Sequence, residues 1–88
     1  MTEDVVKVIN TLGIHARPAS LIVQTAMKFK SSIQLIKDGA SADAKSIMSV
    51  MMLAATHDSS VTIRASGEDE QEAVRAIANL FAQKFNEE

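Results

Sequence analysis

Two hydrophobic periods alternate along this chain, and their order leaves few ways to fold it. Val5-Val6-Lys7-Val8-Ile9 is rich in β-branched residues and reads as a strand with Val6 and Val8 on one face. Ala19, Ile22, Val23, Ala26 and Phe29 then recur at the spacing of an amphipathic helix. Ile33 and Leu35 return to a period of two and run into Asp38-Gly39, a strong hairpin signal, with Ala42 and Ala44 on the return strand. Ser46 stands in the favoured N-cap place before an apolar helix. After the polar loop His57-Asp58-Ser59-Ser60, Val61, Ile63 and Ala65 alternate on a last strand that Gly67 closes. Glu68-Asp69-Glu70 suits the start of a final helix carrying Val74, Ile77, Ala78, Phe81 and Phe85 on one stripe. The order β-α-β-β-α-β-α predicts an α+β, two-layer sandwich: helices on one face of a four-stranded antiparallel sheet. With 88 residues the chain has room for one core, so residues 1–88 are expected to form a single domain.

Composition narrows the classes of function. A net charge of −2 supplies no basic field for nucleic acid and no polybasic membrane patch. A sheet that binds single strands needs stacking aromatics, whereas this chain has three Phe, all on helical stripes, and no Trp or Tyr. Without cysteine there is neither a disulfide framework nor a thiolate metal site, which fits a reducing cytosol. The apolar run Val50 to Ala55 is far too short to span a bilayer, and Met1-Thr2-Glu3-Asp4 is no signal peptide. The expectation is a cytoplasmic protein with no direct membrane contact and no bound cofactor.

Chemistry concentrates in Gly13-Ile14-His15-Ala16-Arg17-Pro18. Gly13 permits the sharp turn out of a strand. Pro18 fits the first turn of a helix, where its missing amide would have no partner. His15 therefore stands at the positive end of a helix, a ready anion site, and Arg17 adds a cationic fork suited to phosphate. A nucleophilic imidazole beside an anion cradle suggests a phosphohistidine. The plainer reading makes His15 a capping residue and Arg17 a solvated charge.

The middle helix is apolar nearly all round, from Ile47 to Ala55 with only Ser49 interrupting. If Val50 and Leu53 face the core, Ile47, Met48 and Met51 must point outward, as a pliable partner surface would. The competing reading wedges this helix into the core from several sides. Ser46 is first of all a cap, although a phosphate there would place charge at the lip of an apolar patch. His57 reads as a solvated loop residue, since no second ligand at metal spacing accompanies it.

Gly13-Ile14-His15-Ala16-Arg17-Pro18-Ala19 resembles the active-site signature of the HPr family, the histidine-containing phosphocarriers of the bacterial phosphoenolpyruvate-dependent phosphotransferase system. Ala44-Lys45-Ser46-Ile47-Met48, followed by Met51, Leu53 and Ala54, resembles that family's serine-site signature. The likeness runs essentially end to end. It implies the HPr-like open-faced sandwich and a carrier, not an enzyme. His15 would accept the phosphoryl group on Nδ1 from phosphorylated enzyme I and pass it to enzyme IIA domains for sugar uptake. Arg17 would stabilise that group, and Ser46 would be the position modified by an HPr kinase/phosphorylase. Ser20, Gln24, Ile47, Met48 and Met51 would form the docking surface of a monomer. Leu12, Met27 and Ala54 stand where the family more often has a small polar residue, a basic residue and Gly. Leu12 keeps an alternative open: a regulatory or nitrogen-type phosphotransferase chain without sugar transport.

Overall fold

The computed structural model describes residues 1–86. Along them run β1 (Thr2–Lys7), α1 (Ala16–Ala26), β2 (Ser32–Lys37), β3 (Ala40–Asp43), α2 (Ile47–Met52), β4 (Ser60–Ser66) and α3 (Glu70–Ala82), followed by a short turn at Lys84–Asn86. The four strands form one antiparallel sheet in the order β1-β4-β2-β3, so the last strand fills the slot between the first two. This is the α+β sandwich expected from the alternating periods.

Strand alternation decides which face is covered. Val61, Ile63 and Ala65 of β4 are buried, and their neighbours across the sheet include Val6, Leu35 and Ile33. The intervening Arg64 pairs with Glu3 directly opposite on the other face. Onto the apolar face α1 lays Pro18, Ala19, Ile22 and Ala26, and α3 lays Ala73, Val74, Ile77 and Phe81. Burying each Ile or Phe fully contributes roughly 1.5–3 kcal/mol relative to leaving it exposed. At the β2–β3 hairpin both Asp38 (φ 50°) and Gly39 (φ 82°) take the left-handed conformation that a two-residue primed turn requires.

Element boundaries differ from the sequence reading in six places, one of them Ser60, which is read as loop but opens β4. The first strand starts at Thr2 and ends at Lys7, not at Val5 and Ile9, because β4 pairs it from Thr2↔Ala65 to Lys7↔Ser60. Val8 still continues the ladder, donating to the Ser59 carbonyl at 2.9 Å. Helix α1 stops at Ala26, and Phe29 reaches the core from the following turn. Strand β3 stops at Asp43, one residue short of buried Ala44. Helix α2 ends at Met52, so Leu53 is its C-cap and Ala54 lies beyond it with φ 55°. Helix α3 ends at Ala82. Phe85 enters the core through three successive left-handed residues, Lys84, Phe85 and Asn86, and meets Phe81 edge to face at 4.8 Å between centroids.

The α3 start is tied to the sheet by two carboxylates. Asp69 accepts from the Lys30 amide (2.9 Å), the Ser31 amide (3.0 Å) and the Ser31 hydroxyl (2.5 Å) instead of capping its own helix. Glu70 accepts from the Thr2 hydroxyl (2.6 Å), the Gly67 amide (3.1 Å) and the chain's terminal ammonium (2.9 Å).

Candidate functional site

The segment between β1 and α1 is short and cross-braced. Gly13 adopts φ 69°, and a Cβ there would stand 2.7 Å from the Ala55 carbonyl oxygen. Only glycine satisfies both the backbone hand and the close approach. The next amide, Ile14, donates to that same Ala55 carbonyl at 2.9 Å. The chain leaving α2 is therefore the platform on which the His15 segment rests.

His15 is the N-cap of α1 with extended backbone (φ −108°, ψ −165°), and its carbonyl receives the Ala19 amide at 3.0 Å. His15 thus holds the N-cap position that the plainer reading gives it, without a side-chain capping bond to the helix amides. The amides of Ala16 and Arg17 have no acceptor within the helix, and Pro18 offers none. They and the helix dipole form the positive end beside the imidazole. Arg17 is exposed in the first turn, while Pro18 is buried and anchors it.

Arg17, Ser20 and Gln24 follow i, i+3, i+7 and so share one stripe of α1. Gln24 donates to the Ser20 hydroxyl at 3.0 Å along that stripe. Helix α2 packs beside α1. Its Val50 and Leu53 are buried, whereas Ile47, Met48 and Met51 are exposed, as the sequence predicts and against the wedged alternative. Met52, at 78% exposure, and Met27, at 64%, extend the exposed apolar set beyond the docking residues that the sequence suggests. In the sequence Met52 is only one more residue of an apolar run. Ser46 caps α2, accepting the Ser49 amide at 3.3 Å.

His57 is more than a solvated loop residue. Its Nδ1 lies 3.3 Å from the Asn10 carbonyl oxygen, and fully buried Asn10 donates from Nδ2 to the Gly13 carbonyl at 2.6 Å. Neither residue carries a sequence signal for this contact, which joins segments 47 positions apart. Among the described residues no group of three or more His, Cys, Asp or Glu is arranged to hold a metal ion. Two shallow crevices lie against α2–β3 (Ala40, Ser41, Ser49, Met52, Leu53) and against β1–α3 (Thr2, Glu3, Asp4, Gln71, Val74, Arg75, Ala78), and neither contains His15. No helix of the described residues is long and apolar enough to cross a membrane.

Comparison with known proteins agrees with this geometry. The family model described as the PTS HPr component phosphorylation site matches residues 2–83. The chain is 48% identical over 88 residues to the phosphocarrier protein HPr of Treponema pallidum, covering all of both chains. It is similar to a crystal structure of HPr from Thermoanaerobacter tengcongensis with a TM-score of 0.96 and 45% identity, covering 100% of this chain and 99% of that one. It is also similar, with a TM-score of 0.77 and 44% identity over 96% of this chain and 97% of that one, to the Bacillus subtilis catabolite-repression protein Crh, described as a domain-swapped dimer. With the family model spanning most of the sequence and the fold matching end to end, the chain belongs to the HPr family of phosphocarriers of the phosphotransferase system.

Proposed function

We propose that this HPr-family chain carries its phosphoryl group on His15, taking it from phosphorylated enzyme I and handing it to enzyme IIA domains for sugar uptake. The observation that carries this reading is the half-buried His15 at the N-cap of α1, followed in the same first turn by the exposed Arg17. In transfer, the bond from phosphorus to the donor nitrogen breaks as the bond to His15 forms. Such a step depends on positioning and charge stabilisation, which the amides of Ala16 and Arg17 and the Arg17 guanidinium can supply without metal or nucleotide. With His15 half-buried and Arg17 exposed, the site is open to a partner, which suits a carrier that must enter its partners' active sites.

The exposed side chains of Ile47, Met48 and Met51, with Ser20 and Gln24 on α1, are the docking face in this reading. Ser46 is both the α2 cap and the residue at which an HPr kinase/phosphorylase would place a brake. The protein is a cytoplasmic, single-domain monomer on this view, with residues 1–88 forming the domain. Leu12, three positions before His15, stands where the family more often has a small polar residue, and that departure keeps open the alternative of a regulatory or nitrogen-type chain without sugar transport.

Incubation with phosphoenolpyruvate and enzyme I is expected to add one acid-labile phosphoryl group. His15→Ala abolishes it and His57→Ala still reaches one group at the end point. Labelling that survives His15→Ala overturns the assignment.

A further inference from the structure

The loop that delivers His15 is held at its base by a buried amide and a second histidine. Asn10 is fully buried, and its Nδ2 donates to the Gly13 carbonyl at 2.6 Å while the Gly13 amide donates back to the Asn10 carbonyl at 3.2 Å. That same Asn10 carbonyl oxygen lies 3.3 Å from His57 Nδ1. A carbonyl only accepts, so in this contact the imidazole carries its proton on Nδ1. The backbone behind His57 is fixed in turn. Asp58 donates its amide to Val8 at 2.8 Å and Val8 donates to Ser59 at 2.9 Å, extending the β1–β4 ladder past its last regular pair. The imidazole of His57 is thus mounted on the sheet, and its N–H reaches the residue that closes the His15 turn.

We propose that Asn10 and His57 are positioning residues for phosphoryl transfer at His15: His57 holds the Asn10 carbonyl, and Asn10 holds the Gly13 turn. This rests on the reading that His15 carries the phosphoryl group. In-line transfer tolerates little displacement of the acceptor nitrogen, and a misplacement on the order of 1 Å can cost ~100-fold in rate. Gly13 stands only two positions before His15, so loosening the turn moves the imidazole without touching the docking face. The effect therefore belongs in the transfer step and not in affinity.

The test measures three quantities on the full chain: the single-turnover rate of transfer from phosphorylated enzyme I, the affinity for enzyme I by titration, and thermal unfolding. His57→Phe keeps a ring and removes the donor. His57→Asn places an N–H where Nδ1 stood. We expect His57→Phe to slow transfer about 3- to 10-fold, the worth of one ordinary hydrogen bond, with affinity unchanged, and His57→Asn to restore the rate to within about twofold of the parent. Asn10→Asp, isosteric but without the donor, slows transfer further if it folds. If it does not fold, the two His57 variants decide alone. Parental rates in His57→Phe, equal slowing in His57→Asn, or a loss confined to affinity each overturn the proposal. A parent that takes up no phosphoryl group, or a His15→Ala variant that still does, overturns the assignment of His15 itself, whatever the His57 variants show.

Discussion

Gly13 and Ala54 are both left-handed, but only one of them has the side chain its backbone favours. At Gly13 (φ 69°) an added methyl group meets the Ala55 carbonyl at 2.7 Å and the Thr56 Cα at 3.1 Å. Both atoms are backbone, so neither can swing away. Gly13→Ala is expected to destabilise the fold by about 1–3 kcal/mol and to slow phosphoryl uptake, since the strain falls on the His15 turn. Urea unfolding beside a transfer assay checks this; a variant as stable as the parent would mean the loop can shift away from Ala55. Ala54 has the opposite problem. It sits just past the α2 C-cap with φ 55°, the position where helices most often place Gly, and it is exposed. Ala54→Gly relieves the left-handed cost and loses some chain stiffness in the unfolded state, for an expected net gain of about 0.5–1 kcal/mol. An equal or lower urea midpoint would show that the unfolded-state term wins.

Helix α2 is six residues long, too short to stand without its cap and its two buried anchors. Ser46→Ala should cost ~1 kcal/mol, whereas Ser46→Asp keeps an acceptor at the same place and favours the helix dipole. Melting temperature therefore drops for Ala and holds for Asp. Docking behaves differently, because the carboxylate introduced by Ser46→Asp would adjoin exposed Ile47 and Met48. Ser46→Asp and Met48→Glu should each weaken binding to enzyme I or an enzyme IIA domain by ~1–3 kcal/mol, roughly 5- to 150-fold. If both variants bind as the parent does while folded, this face of α2 docks nothing. The split of α2 into buried Val50 and Leu53 and exposed Ile47, Met48 and Met51 was legible, since a lone helix cannot bury every side against one sheet. The helix ends were not. Nothing like Gly or Pro interrupts the pattern at Gln83 or at Met27, so periodicity alone carried the last helix to Phe85 and the first to Phe29. Glu3-Asp4 disfavours a strand and lies in β1 only because β4 pairs with it. The placement of His15 and Arg17 at the start of α1 was legible because Gly13 and Pro18 mark that turn locally. The Asn10–His57 contact was hidden because only tertiary structure brings residues 47 apart together.

At the scale of the molecule, the corner where α3 meets the sheet links three distant parts of the chain. Asp69 joins α3 to the residues just before β2, and Glu70 joins α3 to β1 and to the chain's terminal ammonium. Both carboxyls are held at about 2, below their ordinary values of 3.8 and 4.5. For Asp69 the main cause is the Ser31 hydroxyl, then the Lys30 amide; for Glu70 it is the Thr2 hydroxyl, then the terminal ammonium and the Gly67 amide. A lowered folded-state pKa means that the unfolded chain takes up the proton first. The stabilisation is therefore complete above the unfolded values and is lost as pH falls from about 4.5 to about 2. The parent's melting temperature is expected to decline through that window. Asp69→Asn/Glu70→Gln should melt lower than the parent at neutral pH, because the anionic acceptors are gone. It should then show a flatter acid limb and approach the parent only below the folded-state values of about 2, where the parent's own carboxyls become protonated. Melting curves at half-unit steps from pH 7 downward decide the matter. If the double variant falls in parallel with the parent, the acid sensitivity of the fold lies elsewhere, and this corner is a set of hydrogen bonds indifferent to charge.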